Sequence, residues 1–590
     1  MSGPVERARS NERWFPLLFA LLALAAVAPI FRNPGYYASQ YDWRYFQSWI
    51  EVGRRSILWW HQAPLWNPYG CGGEVLLANP QSEVASPTFL LPLLFGTALG
   101  VKLVLWFYLF CAFDGMYRLG RDLELTVAGA LLASVLFGSG GWLALHLSSG
   151  HSNFASAGLF PYLVLFYRRG RDDLFWAIPL GATAAWVIAL GGTSTPAMAT
   201  VLLSTLAAID CAQRRSPRPL LVLLAGGACA FVAGAVRILP ALEFAIDHPR
   251  RQWETDASNL IEMIRNGYWW RGVQPVPGKR YWFHEYGWRL AYITPPLILW
   301  SLTVKKTRAW WIVVAVGAGI VAGSAIPYGP WWLLKHLPIY RDLRVPSRYA
   351  LLFALAFPIL CGGALDDLLE RIRVARGDRV RRVVAGLVVA LALADGLAFD
   401  YVRFNKVFDL PMALAARETR FVHYRGDWRS MMNQVFEGHG ALACDEEAPL
   451  ERAAELDEGE VPQVRLLDPG AGQIVQTHWT QNRVELELAL DRPTTVMVNQ
   501  NWNEHWKATA GLGPRPKDGV GCKVVRVGPK LDRDRDGGRL GVEAPAGRYT
   551  LEIFYRPTSF VIGAVVSGVS LPLLLALFLW RRKRPASRAL

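Results

Sequence analysis

Two stretches decide the class of fold: LLVLLAGGACAFVAGAV at 220–236 and VVAGLVVALALADGLAF at 383–399. The first holds no charged residue and the second only Asp395. Each is long enough, or nearly so, to cross a hydrocarbon core of about 30 Å. Further runs of the same kind stand near 14–31, 87–110, 126–146, 154–167, 174–190, 196–210, 290–303, 310–325, 347–365 and 558–580. These predict a polytopic α-helical membrane protein of about twelve spans. The composition agrees, with 52% hydrophobic and only 19% charged residues in 590. Trp is abundant at 25 residues, as expected where many rings sit at membrane–water boundaries.

The net charge of +15 would point to nucleic acid in a soluble chain. Here the basic residues follow the spans instead. Alternate connections carry Arg7, Arg9 and Arg13, then Arg118 and Arg121, then Arg168, Arg169 and Arg171. The series continues through Arg214, Arg215 and Arg218, then Lys305, Lys306 and Arg308. It ends with RIRVARGDRVRR at 371–382 and RRKRP at 581–585. The intervening short loops, LSSGHSNF at 147–154 and GGTSTP at 191–196, have no Lys or Arg. By the positive-inside rule both termini are expected in the cytoplasm. Ala26-Val27-Ala28 resembles a signal-peptide cleavage site, but Pro29 would follow the scissile bond, so a retained anchor is expected.

Between the spans three long extracytoplasmic segments remain, at about 32–86, 240–288 and 401–557. The organisation is thus a transmembrane domain over 1–400, a β-rich domain over 401–557, and a final span with a basic tail over 558–590. The β assignment rests on RVELELAL (483–490), TTVMVNQNW (494–502), KVVRVG (523–528), RLGVEA (539–544) and RYTLEIFYR (548–556). Their apolar residues alternate and Gly, Pro or Asp turns part them, the pattern of a small β-sandwich. Before them lies an acidic, irregular stretch at 444–462. No internal repeat is visible.

Of the seven cysteines, Cys111, Cys211, Cys229 and Cys361 lie in or beside apolar runs and read as small hydrophobes. Cys444 and Cys522 share the polar region, where they are a possible pair in an oxidising compartment.

No P-loop, GxSxG, dinucleotide fingerprint or HExxH motif is present. Polar chemistry concentrates in the outer loops. Asp42 stands just beyond the first span among aromatics, in YDWRYFQSWIEVGRRSILWW (41–60), an amphipathic stretch suited to the interface. A carboxylate held there is a candidate general base for an acceptor hydroxyl. The plain alternative is a solvated Asp paired with Arg44. The following PLWNPYGCGGEVLLANPQSEVASPTFLLPLL (64–94) is irregular, and such backbone at membrane depth lines a cavity or is buried in protein.

These motifs together resemble the YfhO-like bacterial membrane proteins of the GT-C glycosyltransferase superfamily. The likeness continues, in order, with GHSNFASAGLFPYLVLF (150–166), LPALEFAIDHPR (239–250) and LPIYRDLRVPSRYALLFALAFPILCGGAL (337–365). It closes with NWNEHWKATA (501–510) and APAGRYTLEIFYRPTSFVIGAVVS (544–567). The resemblance implies transfer of a sugar from a polyprenyl-phosphate donor to an envelope lipid, polymer or protein acceptor outside the cytoplasm. It makes Asp42 the expected base. Arg344 and Arg348, with Arg341 behind them, become candidates for the donor phosphate, because guanidinium forks match phosphate oxygens. Snorkelling at the interface, or pairing with Asp342, is their plain alternative. Trp66, Asn67, Glu74, Asn79, Gln81 and His151 are expected to line the substrate cavity, with Asn153 beside them.

The chain departs from the family pattern at Glu74, where relatives carry Pro, and at GGTSTP. A divalent metal is possible, with Glu74 and Glu83 as weak ligand candidates. Asp532, Asp534 and Asp536 match a calcium-loop spacing, but their flanks read as strands rather than helices, so a polar hairpin is favoured. A flippase or transporter of lipid-linked sugars would show charges at mid-bilayer, for which only Asp395 qualifies. A non-catalytic assembly protein is the third reading.

Overall fold

The computed structural model describes residues 12–40, 42–248, 257–413, 421–426, 431–444, 456–513, 519–528 and 538–583. Asp532, Asp534 and Asp536 lie outside these residues. Helices stand at each of the twelve apolar runs. Five of them are long and apolar enough to cross a membrane: Pro87–Asp122, Val127–Ser149, Ser194–Arg214, Pro346–Phe404 and Thr558–Arg581. A sixth is the pair Arg218–Ala233 and Ala235–Asp247, if its 90° bend lies within one span. Phe15–Phe31, Leu174–Ala189 and Trp310–Val321 are shorter apolar helices. Length and composition alone therefore do not carry all twelve runs as spans among the described residues, because several form helices of only two or three turns. Thr294–Ser301, for example, has 8 residues.

Pro346–Phe404 is two helices. As one rod, Gly362 and Gly396 would be about 51 Å apart at 1.5 Å per residue. Yet Gly362 packs on Gly129 and Gly396 on Ser139, both near the single helix Val127–Gly138. Asp366 also accepts a 2.7 Å hydrogen bond from the Thr126 amide. The chain therefore turns back on itself, and Gly377, at φ 82°, makes the turn within the basic 371–382 segment. Only glycine enters that backbone region without a Cβ penalty.

The C-terminal region forms two antiparallel sheets. One has the order Val520–Cys522, Trp506–Gly511, Gly547–Tyr555, Arg483–Leu490, Gly472–Thr480. The other runs Val524–Val527, Arg539–Ala544, Thr494–Asn501, Val464–Leu466. Period-2 patterning does what it should here. Val484, Leu486, Leu488 and Leu490 are buried, while the residues between them are not. With Val496, Val498, Leu540, Val542, Leu551 and Ile553 they join one apolar core.

This β-rich region sits on the first loop. Trp66 donates from Nε1 to Gln500 Oε1 at 3.0 Å and from its amide to Asn482 Oδ1 at 3.0 Å. Its ring packs against Trp506 and Tyr555. Asn501 Nδ2 donates to the carbonyls of Cys71 and Gly73 at 2.6 and 2.8 Å. Gly72 and Tyr69 exchange backbone hydrogen bonds with Ala441, both at 2.8 Å. That pairing brings Cys444 beside Cys71, and the two form a disulfide. The question left open by the sequence, whether Cys444 pairs with Cys522, is thus answered: its partner is Cys71. Cys522 lies on an edge strand and is a free thiol.

Candidate functional site

Asp42 immediately precedes the helix Trp43–Leu58. That helix is fixed by Trp43, fully buried, whose indole donates to the Leu147 carbonyl at 2.9 Å. The partner helix Gly141–Ser149 ends at Gly150, in the left-handed region at φ 104°. A Cβ on Gly150 would run into the Trp43 amide nitrogen and the Asp42 backbone. Glycine here both stops the helix and lets the two chains touch, which sets the next residue, His151, against Asp42. His151 Nε2 is 3.2 Å from Asp42 Oδ2, and the Asp42 side chain keeps 48% of its exposure. The pair has one foot in the protein and one in the cavity.

Around them opens a cavity, continuous with solvent, lined by Asp42, Gln81, His151, Asn153, Arg344 and Arg348. Its far wall is Gly192–Ser194, from the GGTSTP loop. Gly191 and Gly192 have φ of 88° and 81°. A Cβ on the first would strike the Gln81 carbonyl, and on the second the Asn153 amide at 2.7 Å. The double glycine lets this loop lie flat on the two amides. Gln81 is held from behind by Arg237, 2% exposed, which donates to the carbonyls of Leu77, Asn79 and Ser82. A guanidinium that satisfies three loop carbonyls replaces the hydrogen bonds an irregular buried segment lacks.

Arg348 begins the hairpin described above. It forms a fork with Glu285, Nε to Oε2 at 2.7 Å and Nη2 to Oε1 at 2.5 Å, and lies over the Phe154 ring. Glu285 is 5% exposed. Burial would push its pKa up, but Arg348 more than offsets this and holds the carboxyl well below the usual carboxylate range. His284 Nε2 is 3.8 Å from the same carboxylate. Burial outweighs that carboxylate and pushes His284 down to about 4, so its ring is neutral. On the other side, His151 Nδ1 and His146 Nδ1 are 2.9 Å apart.

Trp66, Asn67 and Glu74 do not line this cavity. Trp66 serves the β-rich region. Glu74 accepts from Trp49 Nε1 and Asn67 Nδ2, both at 2.8 Å, and so closes the Gly-rich turn from inside. Asn79 turns the loop by accepting from the Gln81 amide at 3.0 Å. Arg341 is half-exposed, 3.7 Å from Asp342. Glu83 is buried next to Trp43 and Leu190, and accepts a hydrogen bond from Ser152. Burial raises its pKa to about 8. A lone buried carboxyl with one hydroxyl donor is not a metal site, and neither is Glu74.

The sequence reading missed His146, His284 and Glu285. His146 sits inside an apolar run, and the His284-Glu285 dipeptide lies among aromatics in the second long loop. No local spacing relates either to Asp42.

No family model matches the chain, and neither does any curated protein. Among solved structures it is similar in part to a cryo-EM structure of the arabinofuranosyltransferase AftD from mycobacteria. There the TM-score is 0.39 at 17% identity, over 67% of this chain and 27% of that one. A mutant of the same enzyme gives 0.42 at 13% identity, over 91% of this chain and 42% of that one. The chain spans less than half the length of these structures, and likeness at this level fixes neither fold nor activity.

Proposed function

We propose that the chain is a GT-C-type membrane glycosyltransferase that moves a sugar from a polyprenyl-phosphate donor to an envelope acceptor on the extracytoplasmic side. The observation that carries the reading is one cavity lined by Asp42, Arg344 and Arg348 together. The motif order of the sequence points the same way, in its resemblance to YfhO-like membrane proteins. The basic-residue alternation supports an outer side for the loops and the β-rich region, with both termini inside.

In this reading Asp42 takes the proton of the acceptor hydroxyl as its oxygen bonds to the sugar's anomeric carbon. The bond from that carbon to the phosphate oxygen breaks, and the lipid phosphate leaves with the electron pair. Arg344 meets the charge that develops on it. Arg348 acts less directly, since Glu285 already engages its Nε and Nη2. The β-rich region contributes by bracing the first loop.

A carrier of lipid-linked sugars would draw on buried charges such as Arg289–Asp395, paired at 2.7 Å. That arginine lies against the rings of Trp270, Tyr292 and Phe399, the setting of a loop anchor rather than a moving charge.

The test is mass analysis of envelope glycans in cells lacking the protein, complemented with wild type or with Asp42→Asn. The reading expects a glycan species that wild type restores and the variant, inserted at equal level, does not. Restoration by the variant would remove Asp42 from the chemistry.

A further inference from the structure

We infer that His146, His151 and Glu285 hold a zinc-class divalent cation on the inner wall of the cavity. The three residues come from distant parts of the chain. His146 lies on the helix Gly141–Ser149, His151 just beyond its glycine stop, and Glu285 on the turn Phe283–Glu285. A ring nitrogen of each histidine and an oxygen of Glu285 all lie within 4.8 Å of one another. Ligands around a four-coordinate ion stand a little over 3 Å apart when each bond is about 2.0–2.1 Å. Closing the observed spacing takes small side-chain movements only.

Two further features point to an ion rather than to a plain hydrogen-bonded cluster. First, His146 is fully buried and meets His151 Nδ1 to Nδ1 at 2.9 Å, so two ring nitrogens converge where only one can carry the proton between them. A cation accepts both lone pairs. Second, His151 turns its other nitrogen to Asp42 at 3.2 Å. A carboxylate behind a ligating histidine fixes the tautomer and raises ligand basicity, an arrangement common around bound metals.

The donor set selects the ion. Two imidazoles and one carboxylate suit a borderline first-row cation such as zinc, whereas calcium and magnesium prefer all-oxygen shells. Glu285 can serve both Arg348 and the ion, because each carboxylate oxygen has two lone pairs. Of the three ligands, His151 also lines the cavity. What the ion does there rests on the transfer reading: beside Arg344 and Arg348 it would meet an oxygen of the donor phosphate. Whether the ion binds does not depend on that reading.

The experiment uses the full chain in lipid nanodiscs, stripped with chelator, loaded with zinc and desalted, with metal counted by mass spectrometry. About one zinc per chain is expected in the wild type. His146→Ala and Glu285→Gln should each reduce retention at least tenfold, while His478→Ala, exposed on the β-rich region, should retain the wild-type amount. Cobalt loading should give the intense visible absorption of a four-coordinate site in wild type and lose it in His146→Ala. A wild-type protein that retains no zinc overturns the inference, whatever the variants do. So does equal retention by wild type and a His146→Ala/His151→Ala double variant. Sugar transfer by a zinc-free, chelator-treated enzyme would remove the ion's role and leave the transfer reading standing. Stoichiometric zinc without any transfer would leave the site standing and remove the reaction.

Discussion

Asp42 Oδ2 lies 3.2 Å from His151 Nε2, and Nδ1 of the same ring lies 2.9 Å from His146 Nδ1. An exposed carboxylate at the cavity surface is thereby coupled, through one imidazole, to a histidine with no exposure at all. The carboxylate's orientation is set from inside the protein, by the glycine stop that positions His151.

This coupling separates the two residues in kinetics. Removing the base should cost about 10²–10⁴-fold in turnover. Removing a residue that only orients it costs about 10- to 100-fold. Asp42→Asn is therefore expected to fall much further than His151→Ala in transfer assays on the same membranes. Equal losses would make His151 a direct participant, and an unaffected His151→Ala enzyme would leave Asp42 oriented by something else.

The disulfide gives a second prediction. Cys71–Cys444 closes a loop of 373 residues and ties the first loop to the β-rich region. Loss of such a link typically costs about 2–5 kcal/mol. Cys71→Ser and Cys444→Ser should lower thermal stability equally, and the double variant no further, since either change breaks the same bond. Cys522→Ser should leave the melting point unchanged. Thiol mapping without reductant should recover the Cys71–Cys444 peptide pair and an alkylated Cys522; a Cys444–Cys522 pair would overturn the assignment.

Much of this was legible in the chain because it is written in local patterns. The strands over Arg483–Leu490, Thr494–Asn501 and Arg539–Ala544 follow directly from alternation. Gly472–Thr480 and Trp506–Gly511 do not, because GQIVQTHWT and WKATAG carry too few apolar residues in register. Asp42 was recognisable by its place in a loop, and Gln81, His151, Arg344 and Arg348, which line the same cavity, through the family resemblance. Their partners were not: Glu285 meets Arg348 across 63 positions, and Cys71 meets Cys444 across 373. Such pairings are made by tertiary packing and leave no periodic trace. The number of membrane crossings is not legible for a related reason, since apolar runs do not say where a helix bends or turns back.

Gly192 offers a third test. Its φ of 81° and its contact with Asn153 leave no room for a side chain. Gly192→Ala should cost about 1–2 kcal/mol from backbone strain and push Asn153 into the cavity. Transfer should fall mainly through KM, because the change narrows the site without touching Asp42. Unchanged stability and KM would mean that this loop can move away freely.

Glu83 gives a pH-dependent prediction whose sign can be worked out. Burial raises its folded pKa from 4.5 to about 8. Below pH 4.5 it is protonated in both folded and unfolded chains, and nothing is lost. Between 4.5 and 8 the unfolded chain releases the proton while the folded one keeps it, so stability declines as pH rises through this window. Above 8 both are ionised and the loss is complete. At pH 7 the penalty is roughly 3 kcal/mol, taking 1.36 kcal/mol per pH unit above the unfolded value. Glutamine has the shape of the protonated acid and an oxygen to accept from Ser152, but it does not titrate. Glu83→Gln should therefore melt higher than wild type at pH 7, and the two curves should converge as pH falls toward 5. Parallel curves across that range would mean that Glu83 is ionised in the folded protein and has a partner other than Ser152.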